Sequence, residues 1–165
     1  MIHLTAPHLE TMIRAAETAY PLECCGLLAG IRETPDSRRV TRVVPSANVH
    51  PTGGRDRFEV DSQVRFDLMR DLGEIGDRPA GPERLIGHYH SHPDHPPLPS
   101  RTDLDAAFEP DLAWIIIGLR DGQARQVAAH ILDPDAGAFR QIPLRGTNGA
   151  PYAVAPDHAE RNWIT

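Results

Sequence analysis

The chain has 165 residues, of which 40% are hydrophobic, and a formal net charge of −6; that size and composition suit one globular domain with a core of its own. Acidic residues outnumber basic ones 23 to 17, and no basic patch with interleaved aromatics occurs, which argues against nucleic acid as a partner. The start, Met1-Ile-His-Leu, lacks the basic and apolar regions of a signal peptide, and no apolar run approaches membrane-spanning length, so a cytoplasmic protein with no membrane partner is expected.

Taken in order, Thr5-Ala-Pro7 predicts a helix start, with Leu9, Met12, Ile13 and Ala16 on one apolar face to about Tyr20 and Pro21 as the stop. Residues 24–31 and 38–44 read as two antiparallel strands joined by a Thr-Pro-Asp-Ser turn, carrying Glu23 at their rim. The chain has two cysteines, Cys24 and Cys25. As chain neighbours they are poorly placed for a disulfide and are expected to be reduced, packing on opposite faces of the first strand. Residues 45–57 read as a loop and 58–60 as a short extended piece. A second helix follows, capped by Asp61 or Ser62, with Val64, Phe66, Leu68, Met69 and Leu72 as its stripe.

Residues 84–105 concentrate the chemistry. Leu85-Ile-Gly-His-Tyr-His reads as a strand, in which His88, His90 and His92 share a face because alternate side chains do. Imidazoles two residues apart at a strand end can converge on one ion across a repeat of roughly 6.6 Å. Pro93, Pro96, Pro97 and Pro99 then stiffen the path to Ser100-Arg-Thr-Asp103, a helix start with Ser100 as N-cap. Asp103 on that first turn can fold back toward the strand end. Two neutral histidines and one carboxylate make three ligands and leave a position open for water, the catalytic arrangement for zinc. His88 shares the face of the other two, so spacing does not exclude it. His95 is expected to face solvent in the proline loop. His3, His8, His50, His130 and His158 have no recognisable partner in the sequence.

The helix after Ser100 is expected to carry Leu104, Ala107 and Phe108 and to end near Pro110. Residues 112–119, with Trp-Ile-Ile-Ile, predict a strand buried on both faces. Asp121-Gly122 is a hairpin signal leading to a strand over 126–132, and residues 138–144 a last short strand. Beyond Arg145 the periodicity is lost, and residues 146–165, with Tyr152 and Trp163, are expected to form an extended tail of unassigned role. The element order predicts one α/β domain of mixed sheet and flanking helices over residues 1–145.

His90-Ser-His92, seven residues, Ser100, two residues and Asp103 resemble the H-x-H-x7-S-x2-D signature of the JAMM (MPN-plus) metalloproteases at every fixed position. The segment Tyr20-Pro-Leu-Glu23-Cys-Cys-Gly-Leu-Leu-Ala-Gly30 is similar to the one that carries the family's glutamate in its bacterial branch. The resemblance covers residues 2–144. It implies an MPN fold, cytidine-deaminase-like, with a curved sheet and a helix on either side. It also implies one Zn2+ held by His90, His92 and Asp103, Glu23 as general base, and Ser100 as support for the oxyanion. It gives His88 no ligand role and points to packing or a hydrogen bond beside the ligands.

Composition alone does not separate Glu23 from the other acidic residues, and Glu59, Glu83 and Asp105 stand as alternatives. Ser100 is already explained as a cap worth about 1 kcal/mol. Compact family members cleave after the Gly-Gly tail of ubiquitin-like and sulfur-carrier β-grasp proteins. Eukaryotic relatives are isopeptidases with longer insertions than the loops 45–57 and 93–99. The resemblance therefore implies a β-grasp partner with a Gly-Gly terminus. Two other classes compete: a non-catalytic MPN scaffold, which the intact ligand set opposes, and a zinc hydrolase of a small amide. For the second, the H-x-E with P-C-x-x-C pattern of deaminases is absent.

Overall fold

The computed structural model describes residues 1–146 and 148–152. Its elements are β1 (Ile2–Leu4), α1 (Ala6–Ala19), β2 (Cys25–Thr34), β3 (Ser37–Ser46), α2 (Ser62–Leu72), β4 (Arg84–His92), α3 (Arg101–Asp105), β5 (Ala113–Arg120), β6 (Gln123–Asp133), β7 (Ala138–Ile142) and β8 (Leu144–Gly146). One sheet runs in the order β7-β6-β5-β4-β2-β3-β1-β8. It is mixed: β4 with β5, β1 with β3 and β1 with β8 are parallel, and the remaining pairs antiparallel.

The two ends of that order are joined by a single residue, Pro143, whose carbonyl accepts from Ile2 N at 2.8 Å. Residues two apart in the chain are at most about 7 Å apart, so the sheet has to curl until its edges meet. The curl encloses α1. Leu9, Met12 and Ala16 of the helix join Ile2, Leu28, Tyr89, Ile115, Ile117, Leu119 and Ile142 from strands across the whole sheet in one core. A helix forms there because Thr5 caps it reciprocally with His8, Pro7 sits in its first turn, and its apolar residues recur on one face.

On the outer face α2, capped by Asp61 and ended by Gly73 in the left-handed region, lays Leu68 and Leu72 on Leu27 and Ala29. Among the described residues, no helix is long and apolar enough to cross a membrane.

Several boundaries differ from the sequence reading. β1 was not expected, because three residues give no periodic signal. The strand expected over 138–144 is broken by Pro143 into β7 and β8 at opposite edges. The helix after Ser100 does not reach Pro110: it is five residues long, capped at Ala106, and Phe108 is 85% exposed. Pro110 disfavours a helical residue before it, and the residue this short helix buries is Asp103 rather than an apolar side chain, while Leu104 and Ala107 are only half-buried. Residues 144–146 and 148–152 do not extend away: Arg145 bridges to Pro151, and Tyr152 Oη donates to Leu4 O at 3.1 Å. The rest of the tail expected over 146–165, residue 147 and residues 153–165 with Trp163, lies outside the described residues.

Candidate metal centre

The register shifts between Leu28 and Ala29, where β4 inserts Ile86 between the partners Leu85 and Gly87. This bulge sends Ile86 and Tyr89 into the core around α1, while Leu85 packs with the cluster under α2. Alternation then turns His88, His90 and His92 to the α2 side, at the end of β4 that leads into the proline loop. β4 is flanked there by β2, with Cys25 opposite His90, and by β5, with Ile116 opposite His90 and Gly118 opposite His92.

Asp103 arrives from the first turn of α3. Ser100 caps that turn by accepting from Asp103 N at 3.1 Å, and both Ser100 N and Ser100 Oγ donate to Asp103 Oδ2 at 2.6 Å. Arg65 of α2 holds Glu109, just beyond α3, through two contacts of 2.8 and 2.6 Å. The carboxylate is thereby aimed at the two imidazoles. His90 Nε2 and His92 Nε2 lie 3.0 Å apart, with Asp103 Oδ1 3.1 Å from the first and Oδ2 3.4 Å from the second. Donors on a tetrahedral ion at zinc–nitrogen and zinc–oxygen distances would be about 3.3 Å apart, so the two imidazole nitrogens and the carboxylate group already stand at the separations of one face of that tetrahedron.

Protonation agrees. His92 Nδ1 is 3.1 Å from Pro96 O; a carbonyl only accepts, so Nδ1 carries the proton it donates there and Nε2 is the nitrogen turned toward Asp103. Burial lowers the pKa of His90 and keeps its ring neutral. Burial works to raise Asp103, but hydrogen bonding with His90, His92 and Ser100 outweighs it and holds the carboxyl well below its ordinary range. Two neutral imidazoles and an anionic carboxylate are the forms that bind a divalent cation. All three residues are buried, and they form the one His/Cys/Asp/Glu group of metal-holding geometry among the described residues.

Glu23 precedes β2. Its N–H donates to Gly54 O at 3.0 Å, its carbonyl accepts from Asn48 Nδ2 at 3.2 Å, and the next residue pairs with Ser91 through Cys24 N to Ser91 Oγ at 2.9 Å. That pairing brings Glu23 level with His92. The side chain is buried, and its pKa is pushed up to about 9, first by burial and then by the charges of Asp103 and Asp56. Without a cation the carboxyl is therefore held in its neutral form, and a divalent cation among the neighbouring donors would favour the carboxylate that a proton acceptor needs. The alternatives are placed elsewhere: Glu83 is bound to Arg42 and Thr41, Asp105 pairs with Arg101, and Glu59 is exposed.

His88 is not among the three converging donors. Its ring packs edge-on to Trp114 at 4.1 Å, and burial brings its pKa down to about 3. His95 is exposed. Cys24 lies in the core around α1, while Cys25 shares a strand register with His90; burial raises both thiols, to about 11 and about 12. Two further residues escape a reading by local pattern. Phe58 stacks on the His90 ring at 4.4 Å and 18°, and His130 reaches Pro97 O at 2.9 Å. A lone histidine inside the apolar strand over 127–132 is a signal in itself, because a buried polar side chain requires a partner.

A curled mixed sheet wrapped on one helix, with two strand-end histidines and a helix-start aspartate converging beside a buried glutamate, defines the MPN fold with a site of metal-holding geometry. The chain belongs to the family of prokaryotic homologs of the JAB domain, which matches residues 5–130. It is 34% identical over 96 residues to a desampylase of Haloferax volcanii, a match covering 58% of this chain and 62% of that protein. It is 28% identical over 143 residues to the CysO-cysteine peptidase of Mycobacterium tuberculosis, covering 86% and 88% of the two chains. Among solved structures, a Desulfitobacterium hafniense protein superposes with a TM-score of 0.73 at 30% identity, covering 89% of this chain and 93% of the other. A JAB1/MPN domain protein from Archaeoglobus fulgidus shares the fold with a TM-score of 0.51 at 18% identity, covering 89% and 97%.

Proposed function

We propose that the protein is a zinc metallopeptidase that hydrolyses the peptide or isopeptide bond after the C-terminal Gly-Gly of a ubiquitin-like or sulfur-carrier β-grasp protein. The observation that carries this reading is the convergence of His90, His92 and Asp103 beside the buried Glu23. A zinc ion held by the three would polarise the scissile carbonyl and lower the pKa of water toward ~7. Glu23 takes the proton of the attacking water and passes it to the leaving amine. Ser100 orients the Asp103 carboxylate through its 2.6 Å bond, and its hydroxyl, rotated from that bond, can donate to the oxyanion.

The substrate half of the reading rests on the relatives named desampylase and CysO-cysteine peptidase and on a groove of about 700 Å³ that Glu23 helps to line. Its walls are α1, with Thr11, Ala15 and Thr18, and the segment from Ser46 to Gly53. β1 pairs with β3 at Arg38 and Arg39, and no strand among the described residues covers the outer edge of residues 43–46. An extended tail can add there as a strand, and glycines allow a close approach to the backbone.

The test is cleavage of β-grasp proteins extended beyond Gly-Gly, by wild type and by Glu23→Gln. Wild type is expected to cut at the Gly-Gly and Glu23→Gln to keep zinc without turnover. Turnover by Glu23→Gln removes that residue from the mechanism, and inactivity of wild type on every Gly-Gly fusion refutes the substrate.

A further inference from the structure

The loop over residues 93–99 joins the two halves of the site, since His92 ends the strand before it and Ser100 and Asp103 open the helix after it. Four of its seven residues are prolines, which have no N–H to donate. Its internal backbone bonds are few: His95 N to His92 O at 3.4 Å and Leu98 N to Pro96 O at 2.8 Å. At its start the loop is tied down by the Asp94 carboxylate, which accepts from Tyr20 Oη at 3.0 Å, Arg55 at 2.8 Å and Asp121 N at 3.0 Å; over its second half the handles are carbonyls, and two consecutive ones are held by imidazoles. Pro96 O takes the His92 Nδ1–H, and Pro97 O takes the Nε2–H of His130 at 2.9 Å.

His130 comes from β6, two strands away from β4, opposite Trp114 of β5, and is 2% exposed. Burial lowers its pKa, so the ring is neutral with one N–H, which the carbonyl places on Nε2. The loop is drawn so close to β5 that a Cβ on Gly118 would lie 2.9 Å from both His95 O and Pro97 Cδ.

We infer that His130 is a positioning residue of the metal centre: by holding Pro97 against the sheet it fixes the loop whose two ends carry the imidazole of His92 and the carboxylate of Asp103. The inference rests on the metal reading given above. A bond that only satisfied a buried carbonyl would affect stability and leave the spacing of the donors unchanged. One that fixes the loop affects how tightly and in what geometry an ion is held.

The test is titration of the metal-free full chain with Co2+, read by the visible absorption of the bound ion, followed by Zn2+ competition. Wild type is expected to show the intense band of four-coordinate Co2+. His130→Leu should bind both ions about 10–100-fold more weakly, as losses of outer partners do, with a weaker or shifted band. His130→Gln, which restores a donor, should return close to wild type. Gly118→Ala, which pushes the same loop from the opposite side, should move in the direction of His130→Leu and carries the test if that variant does not fold. Wild-type affinity and band in His130→Leu or in Gly118→Ala, or a His130→Gln as defective as His130→Leu, overturn the inference alone. Absence of a band in wild type removes the metal reading and the inference with it.

Discussion

The two faces of the central strands differ in kind. Toward α1, β4 and β5 present Tyr89, Ile115, Ile117 and Leu119, all fully buried in one apolar core. Toward α2, the same strands present His88, His90, His92 and Trp114, residues whose rings pack on one another and on Phe58. The first face supplies apolar burial, which stabilises the fold by roughly 1.5–3 kcal/mol per large side chain. The second spends burial on polar groups that must find partners or a cation. Because alternate residues of a strand serve opposite faces, a rigid platform and a reactive surface come from the same few residues.

Substitutions should separate the two faces. On the apolar face, Ile117→Ala leaves a cavity in a close-packed core and should cost about 2–5 kcal/mol in urea unfolding of the metal-free protein, with zinc affinity retained in the folded fraction. A loss of zinc without a loss of stability would contradict the division. On the polar face the signature is pH. Glu23 has its folded pKa raised to about 9, so the stability it contributes is fully present below its ordinary carboxylate range and is lost as pH rises through about 9. Metal-free wild type should therefore weaken from pH 5 to pH 9 relative to Glu23→Gln. At pH 8 the gap should be some ~2 kcal/mol once relaxation around a buried carboxylate is allowed for. Bound cation should erase it by favouring the charged carboxyl. Thermal melts with and without chelator read this directly, and parallel curves for the two proteins would refute it. The smallest effect is at Ser100, where alanine removes an N-cap worth about 1 kcal/mol and the 2.6 Å support of Asp103. A modest drop in melting temperature with weaker zinc binding is expected, and unchanged zinc binding would reduce Ser100 to a cap.

Legibility followed the range of the interactions. α1 and α2 carry their stripes and caps within a dozen residues, and β5 is a continuous apolar run, so local chemistry announces them. The spacing of His90, His92, Ser100 and Asp103 is short for the same reason: a strand, a stiff loop and one helical turn bring the donors together. Glu23 lies 67 residues ahead of His90, and strand pairing sets their proximity, which no local pattern displays; the family resemblance selected it. Phe58 and His130 reach the site from a loop and from β6. β1 and β8 are too short to be read without the sheet they close. The end of α3 was misjudged because Ala107 and Phe108 continue a helical spacing that tertiary structure leaves unused.

The most direct measurement is zinc content after dialysis against zinc-replete buffer, by elemental analysis of wild type, His92→Ala, Asp103→Ala and Glu23→Gln. One zinc per chain in wild type and in Glu23→Gln, and none in the other two, is the expected result. A wild-type chain that emerges without zinc, or a His92→Ala chain that keeps a full equivalent, would contradict the account.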